Sequence, residues 1–364
     1  MNVHELSTPA LVVDLDIVER NLDTMARLCR QQGIHLRPHT KTHKTPEVAR
    51  MQVERGAIGV TVAKVGEAEV MAAGGLDEIL VAYPVIGAEK LRRLAMLAGE
   101  RSVLVSLDDE RTAQELSRAA VNADSTFGIL VEFDSGYRRC GLQPGPACAQ
   151  LAAKIEKLPG LRFLGLMTYF GSVWGSADER REEAHRMVEP VARALEAMAA
   201  AHVPVEIVSG GSTPAAEFCG QIPGLTEIRP GTYVYNDLNT LYQGACRLED
   251  CAVHILTTVV STAVTGHAMI DAGSKTLSSD PLSAGAKAGF GRIMEALDAP
   301  LFKLSEEHGH VDATKSEHRF CVGEVLSIIP NHICTCINMH DEAFLIRNNQ
   351  VVGSWRVAGR GKIR

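Results

Sequence analysis

The chain predicts an α/β fold: an eight-stranded (β/α)8 barrel of the TIM type, followed by a C-terminal domain built mostly of strands. Three observations predict it. Eight short β-rich runs alternate with helix-length stretches through the first two thirds. Most of these runs are largely apolar rather than alternating, as parallel strands buried on both faces are. Near Glu249 the texture changes, and strands follow strands with little helical periodicity.

The candidate barrel strands are 34–41, 57–63, 79–83, 103–107, 127–134, 162–170, 205–209 and 227–234. Amphipathic stretches at 46–56, 66–73 and 178–200 lie between them, and another at 16–31 precedes the first. Eight β-then-α units close into a barrel, with a doubly wound open sheet as the competing arrangement. Beyond them, runs at 252–261, 267–271, 319–329, 342–347 and 350–357 read as strands, with Asn348-Asn349 as a hairpin turn. The barrel is therefore assigned to 1–248 and the β domain to 249–364. The Gly-, Ala- and Ser-rich stretch 278–291 reads as a surface loop.

At 364 residues the chain suits a large barrel plus a second, smaller unit. Its 46% hydrophobic and 22% charged residues are ordinary for a soluble globular protein. The net charge of −7 points to neither a nucleic-acid nor an anionic-membrane partner. The sequence shows no signal peptide and no apolar run long enough to span a membrane. Nine cysteines, odd in number and irregular in spacing, argue against a disulfide framework and for a reducing cytoplasm.

The densest chemical signal is Arg37-Pro38-His39-Thr40-Lys41-Thr42-His43-Lys44, at the end of the first strand. Barrel active sites sit at the carboxyl ends of strands. A lysine there, partly desolvated and near other cations, has its neutral amine freed for Schiff-base chemistry. The alternative is a solvated basic loop. After the seventh strand, Ser209-Gly210-Gly211-Ser212-Thr213 supplies backbone N–H groups and hydroxyls for an anion nest, where barrels often bind phosphate. An ordinary tight turn is the bland reading. Arg229-Pro230-Gly231-Thr232-Tyr233 follows with another glycine and a cation. His332-Ile333-Cys334, read as an extended strand, points an imidazole and a thiolate the same way, with Cys336 as an alternate on that face. Such a pair suits Zn²⁺ and leaves coordination positions open for water or substrate, unless it is a chance pair. Weaker candidates are Glu132-Phe133-Asp134 with Arg138-Arg139-Cys140-Gly141, Tyr169-Phe170-Gly171-Ser172, and Glu306-Glu307-His308-Gly309. Trp174 and Trp355 read as packing residues.

Together these motifs, with Thr8-Pro9-Ala10, EIRPGTYVYND and PNHICTCINMHD, resemble the D-threonine aldolase and D-serine dehydratase family, related to the alanine racemase barrel. The resemblance spans nearly the whole chain. It implies a pyridoxal-phosphate (PLP) lyase of D-β-hydroxy amino acids, a homodimer of two-domain subunits whose first residues pack with the β domain. It implies that Lys41 carries the cofactor as a Schiff base, with Lys41 and Tyr169 as catalytic residues. His39, Arg139, Ser209, Gly210, Gly211, Ser212, Thr213, Arg229, Gly231, Thr232 and Tyr233 line the cofactor, with Arg229 facing the pyridine nitrogen. His332 and Cys334 hold zinc or manganese near the β-hydroxyl.

Two departures bear on the reaction. The family's aldolases carry His-x-Asp at the metal pair, whereas His332-x-Cys334 is more like the dehydratases. They also carry Tyr-His-Gly where this chain has Tyr169-Phe170-Gly171, so the imidazole that takes the β-hydroxyl proton is absent. Asn338-Met339-His340-Asp341 is more aldolase-like. Dehydration to a 2-oxo acid and ammonia is the favoured expectation. Retro-aldol cleavage to glycine and an aldehyde, with water or His340 as base, is the alternative. A racemase needs a second base and no metal, and PLP carriers are usually single barrels, so both fit less well.

Overall fold

The computed structural model describes residues 1–171, 173, 175–282 and 289–364. Ser172, Trp174 and the middle of the expected surface loop lie outside the described residues. The chain divides into two compact units, Thr24–Lys41 with Pro46–Gly231 and Gly361–Arg364, and Met1–Asp23 with Thr42–Thr45 and Thr232–Arg360. The division does not fall at residue 249.

The first unit is the expected barrel. Its parallel strands are His35–Leu36, Val60–Val62, Glu78–Val81, Ser102–Leu107, Phe127–Glu132, Leu161–Met167, Ile207–Gly210 and Glu227–Ile228. The last pairs with the first, His35 opposite Glu227 and Leu36 opposite Ile228. The first joins the second through a bridge from His39 to Thr61, which closes the ring. There Thr61 N–H donates to the Pro38 carbonyl and Thr40 N–H to the Thr61 carbonyl, each at 2.8 Å. Leu80, Leu104, Leu130 and Met167, from four successive strands, form one buried cluster. Helices Pro46–Glu54, Val65–Ala73, Ala88–Ala98, Glu110–Asn122 and Pro146–Ile155 connect the strands. Asp109 caps the fourth of these through the N–H groups of Arg111 and Thr112, satisfying donors left over at a helix start. The expected single helix 178–200 is two, Ala177–His185 and Val188–Ala200, broken at Arg186 and Met187.

The second unit is a nine-stranded sheet. Ala10–Asp14 lies inside it, antiparallel to Val253–Ser261 and parallel to Glu342–Arg347. Val3, Leu6, Ala10, Val12, Leu256 and Ile346 bury one core there. Asn348 and Asn349 both have positive φ, as a two-residue turn between Glu342–Arg347 and Gln350–Arg356 requires. Four strands were not expected, Ala10–Asp14, Gly291–Ile293, Leu301–Leu304 and Gly309–Asp312. The strand expected to begin at Arg319 begins at Val325, because Glu324 folds the preceding residues into a turn. Its carboxylate accepts from Cys321 N–H (3.0 Å) and pairs with His318 Nε2 (2.8 Å). Trp355 is half-buried on the last strand. Among the described residues no helix is long and apolar enough to cross a membrane.

Candidate functional site

The barrel's carboxyl ends are organised by a buried chain of charges. Arg37 Nε donates to both oxygens of Glu227, at 3.2 and 3.0 Å. Ser209 Oγ donates to Glu227 Oε1 and accepts from Arg229 Nη1, both at 2.5 Å. Arg229 Nη2 reaches the Thr168 carbonyl at 2.7 Å. Four strand ends are thus tied by one network. Burial pushes the Arg229 guanidinium down to about 10, against the pull of Glu227 and Glu132, so it remains a cation at neutral pH. Burial likewise pushes Glu132 up, against Arg229 and Arg139. Removing one partner of a buried ion pair costs about 3–5 kcal/mol. Glu227→Ala is therefore expected to lower the denaturation midpoint sharply, and an unchanged midpoint would count against this network as the barrel's brace.

Lys41 follows the first strand. Its segment is pinned by His39 N–H to the Pro230 carbonyl (2.9 Å) and by Thr40 N–H to the Thr61 carbonyl (2.8 Å). The Lys41 N–H donates to His39 Nδ1 at 3.3 Å, so this imidazole supports the lysine's backbone. The Lys41 side chain is exposed, not partly desolvated as expected, because it projects from the turn that follows the strand.

The glycine turn is built for close approach. A Cβ at Gly210 would meet the Phe170 ring at 2.6 Å, and one at Gly211, which has φ +72°, would meet Ile228 at 2.8 Å. The Ser212 hydroxyl oxygen is buried without a hydrogen-bond partner among the described residues. A buried orphan beside two obligatory glycines fits an anion such as a phosphate. The Ser209 hydroxyl is engaged by Glu227 and Arg229. Thr213 continues the turn, and its carbonyl accepts from Ala216 N–H at 3.3 Å. The Arg139 guanidinium lies 4.4 Å over the Tyr169 ring, and Tyr137 packs edge-on to that ring at 5.1 Å. Gly231 ends the barrel unit. Thr232 and the buried Tyr233 open the short helix Thr232–Val234 in the other unit.

His332 and Cys334 are not on a strand. His332 is the N-cap of the helix Ile333–Ile337. The reason is Asp237, fully buried, whose Oδ2 accepts from Ile333 N–H at 2.9 Å and lies 3.3 Å from His332 Nδ1. Thr42, the residue after Lys41 in the chain, places its hydroxyl 3.1 Å from the Cys334 sulfur. Burial works against charge on His332, yet Cys334 and Asp237 outweigh it and hold its pKa up at about 11. A borderline-soft N,S donor pair of this kind fits a divalent cation. Cys336 is not an alternate ligand, for it is buried and its thiol donates to the Thr276 carbonyl at 3.2 Å. His340 Nε2 is 3.0 Å from the same carbonyl. Among the described residues no set of three or more His, Cys, Asp or Glu converges on one point. The residues missed from sequence are Asp237 and Thr42. Both lie in quoted motifs, but their roles depend on partners far along the chain.

Two family models match. The model for the alanine racemase N-terminal domain covers residues 13–239, and one for a serine dehydratase domain covers 252–346. A D-threonine aldolase of an Arthrobacter species is 31% identical over 98% of this chain and 93% of its own. A D-threo-3-hydroxyaspartate dehydratase of a Delftia species is 33% identical over 90% of this chain and 91% of its own. A solved cysteine-to-alanine variant of a D-threo-3-hydroxyaspartate dehydratase, in a metal-free form, superposes with a TM-score of 0.90. It is 29% identical and covers 98% of each chain.

Proposed function

Because the chain belongs to the alanine racemase N-terminal domain family and carries a serine dehydratase-type domain behind it, we propose that it is a PLP- and divalent-metal-dependent lyase of D-β-hydroxy amino acids, releasing a 2-oxo acid and ammonia. The observation that carries the choice of dehydration is Phe170. Its ring is buried against Gly210, and a carbon ring at this position cannot take the β-hydroxyl proton that retro-aldol cleavage must remove.

PLP, when bound, supplies the electron sink for the pair left on Cα. Gly210, Gly211 and Ser212 would hold its phosphate, and Lys41 would hold its aldehyde carbon. The Lys41 amine would also serve as the base that takes the α-proton. Arg229, kept cationic and pinned by Ser209 and Thr168, would face the ring nitrogen and leave it unprotonated. A divalent metal, zinc or manganese, would sit on His332 and Cys334 and supply charge stabilisation to the departing β-oxygen. The Arg139–Tyr169 stack keeps the phenol in a fixed place at the end of the sixth strand. We also place the enzyme in the cytoplasm as a homodimer.

The second reading, retro-aldol cleavage with the same cofactors, is favoured by the D-threonine aldolase among the relatives. Incubation of the PLP- and metal-loaded enzyme with D-threonine decides between them. The expected products are 2-oxobutyrate and ammonia. Glycine and acetaldehyde instead would establish the aldolase and show that Phe170 does not bar that chemistry.

A further inference from the structure

Asp237 is buried completely and makes two sets of contacts that point in opposite directions. Its Oδ1 accepts from Thr240 N–H (2.8 Å) and Thr240 Oγ1 (3.0 Å), capping the helix Leu238–Tyr242. Its Oδ2 accepts from Ile333 N–H (2.9 Å) and faces His332 Nδ1 at 3.3 Å. The first set would suffice for a helix cap. The second reaches across 96 positions to the backbone that begins the helix carrying Cys334, and to the ring of His332. An imidazole that gives its Nδ1 proton to a carboxylate has only Nε2 left as a lone-pair donor, and that donor is more basic for it. The His332 side chain is one-third exposed, while Asp237 is wholly buried.

We infer that Asp237 is the positioning residue of the metal seat. It fixes His332 in the Nδ1–H tautomer, so that the metal binds through Nε2, and it clamps the first turn that presents Cys334. This rests on the reading of His332 and Cys334 as metal ligands. It assigns a role to a residue that touches neither metal nor substrate. An Asn at this position keeps the shape, but its amide cannot accept on both sides. Turned towards His332, its NH2 meets two donors, the Ile333 N–H and the imidazole Nδ1–H. Turned the other way, it meets the Thr240 N–H.

The test uses the PLP-loaded enzyme with Zn²⁺ and ¹¹³Cd²⁺ as probes. Zinc affinity is read by chelator competition for the wild type, Asp237→Asn and, as a control that removes only the Thr240 hydroxyl from the Oδ1 side of Asp237, Thr240→Val. Loss of such a second partner weakens metal binding about 10- to 100-fold. That loss is expected for Asp237→Asn, with Thr240→Val within about twofold of wild type. In ring-¹⁵N-histidine enzyme loaded with ¹¹³Cd, the metal should couple to Nε2 of His332, with a slowly exchanging proton on Nδ1. Equal zinc affinity in wild type and Asp237→Asn overturns the inference, as does coupling to Nδ1 in the wild type. The second result needs no variant to fold. If the wild type binds zinc no better than His332→Ala, the reading of the metal ligands fails instead, and the inference with it.

Discussion

Replacing Lys41 by Ala is expected to remove the visible absorbance of the lysine-bound cofactor and to lower turnover by about 10³-fold or more. Two losses combine. The covalent hold on the cofactor goes, and so does the amine that takes the α-proton, a step worth about 10²- to 10⁴-fold by itself. The variant should fold. Lys41 is exposed, and its neighbours keep their hydrogen bonds to Pro230 and Thr61 through backbone atoms that the substitution does not touch. Phosphate capture by Gly210, Gly211 and Ser212 should survive, so the variant should still bind PLP, as free aldehyde, with only part of its affinity lost. A small exogenous amine should restore part of the turnover, because the missing group is a base rather than a scaffold. If the lysine-bound absorbance persists in Lys41→Ala, another lysine holds the cofactor and the assignment fails.

Much of this was legible in the sequence, for a physical reason that also marks where legibility stops. The middle barrel strands are continuous apolar runs, since both faces are covered, and they stand out against amphipathic helices. The first and last strands shrink to His35–Leu36 and Glu227–Ile228. Beyond them the polypeptide carries Arg37 and Arg229, and the ring is closed there by bridges and buried ion pairs instead of a long apolar ladder. Leu301–Leu304 and Gly309–Asp312 are four residues each, with Lys303 and His310 among them, too short and polar to signal a strand. His332-Ile333-Cys334 reads as extended from sequence because Ile and the Thr that follows favour extended backbone, yet the helix Ile333–Ile337 begins there. Its conformation is decided by Asp237, from a distant part of the chain. Lys41 and the glycine turn announce themselves locally. A carboxylate that orients an imidazole through tertiary contact does not, and Ser209 could not be told from its neighbours until its partners were seen.

Removing the metal separates the two halves of the proposed chemistry, and it is the other change with a large expected effect. Chelation should leave the cofactor in place, since Lys41, Gly210, Gly211 and Ser212 contain no metal ligand. Turnover should fall by about 10²- to 10³-fold, since the charge stabilisation that a metal gives a departing oxygen is worth several kcal/mol, at 1.36 kcal/mol per decade. Exchange of the substrate α-proton with solvent should continue, because Lys41 performs it without the β-oxygen. A stopped elimination with a running α-exchange is the signature expected of a metal that acts only on the β-hydroxyl. Cys334→Ala should reproduce it in weaker form, retaining His332 and Asp237 but losing the sulfur donor beside the Thr42 hydroxyl. If α-exchange stops together with turnover, the metal is needed for binding the substrate rather than for expelling its hydroxyl. If full turnover survives verified metal removal, His332 and Cys334 are not a catalytic metal pair, and the loss of the β-hydroxyl must rest on protein acids alone.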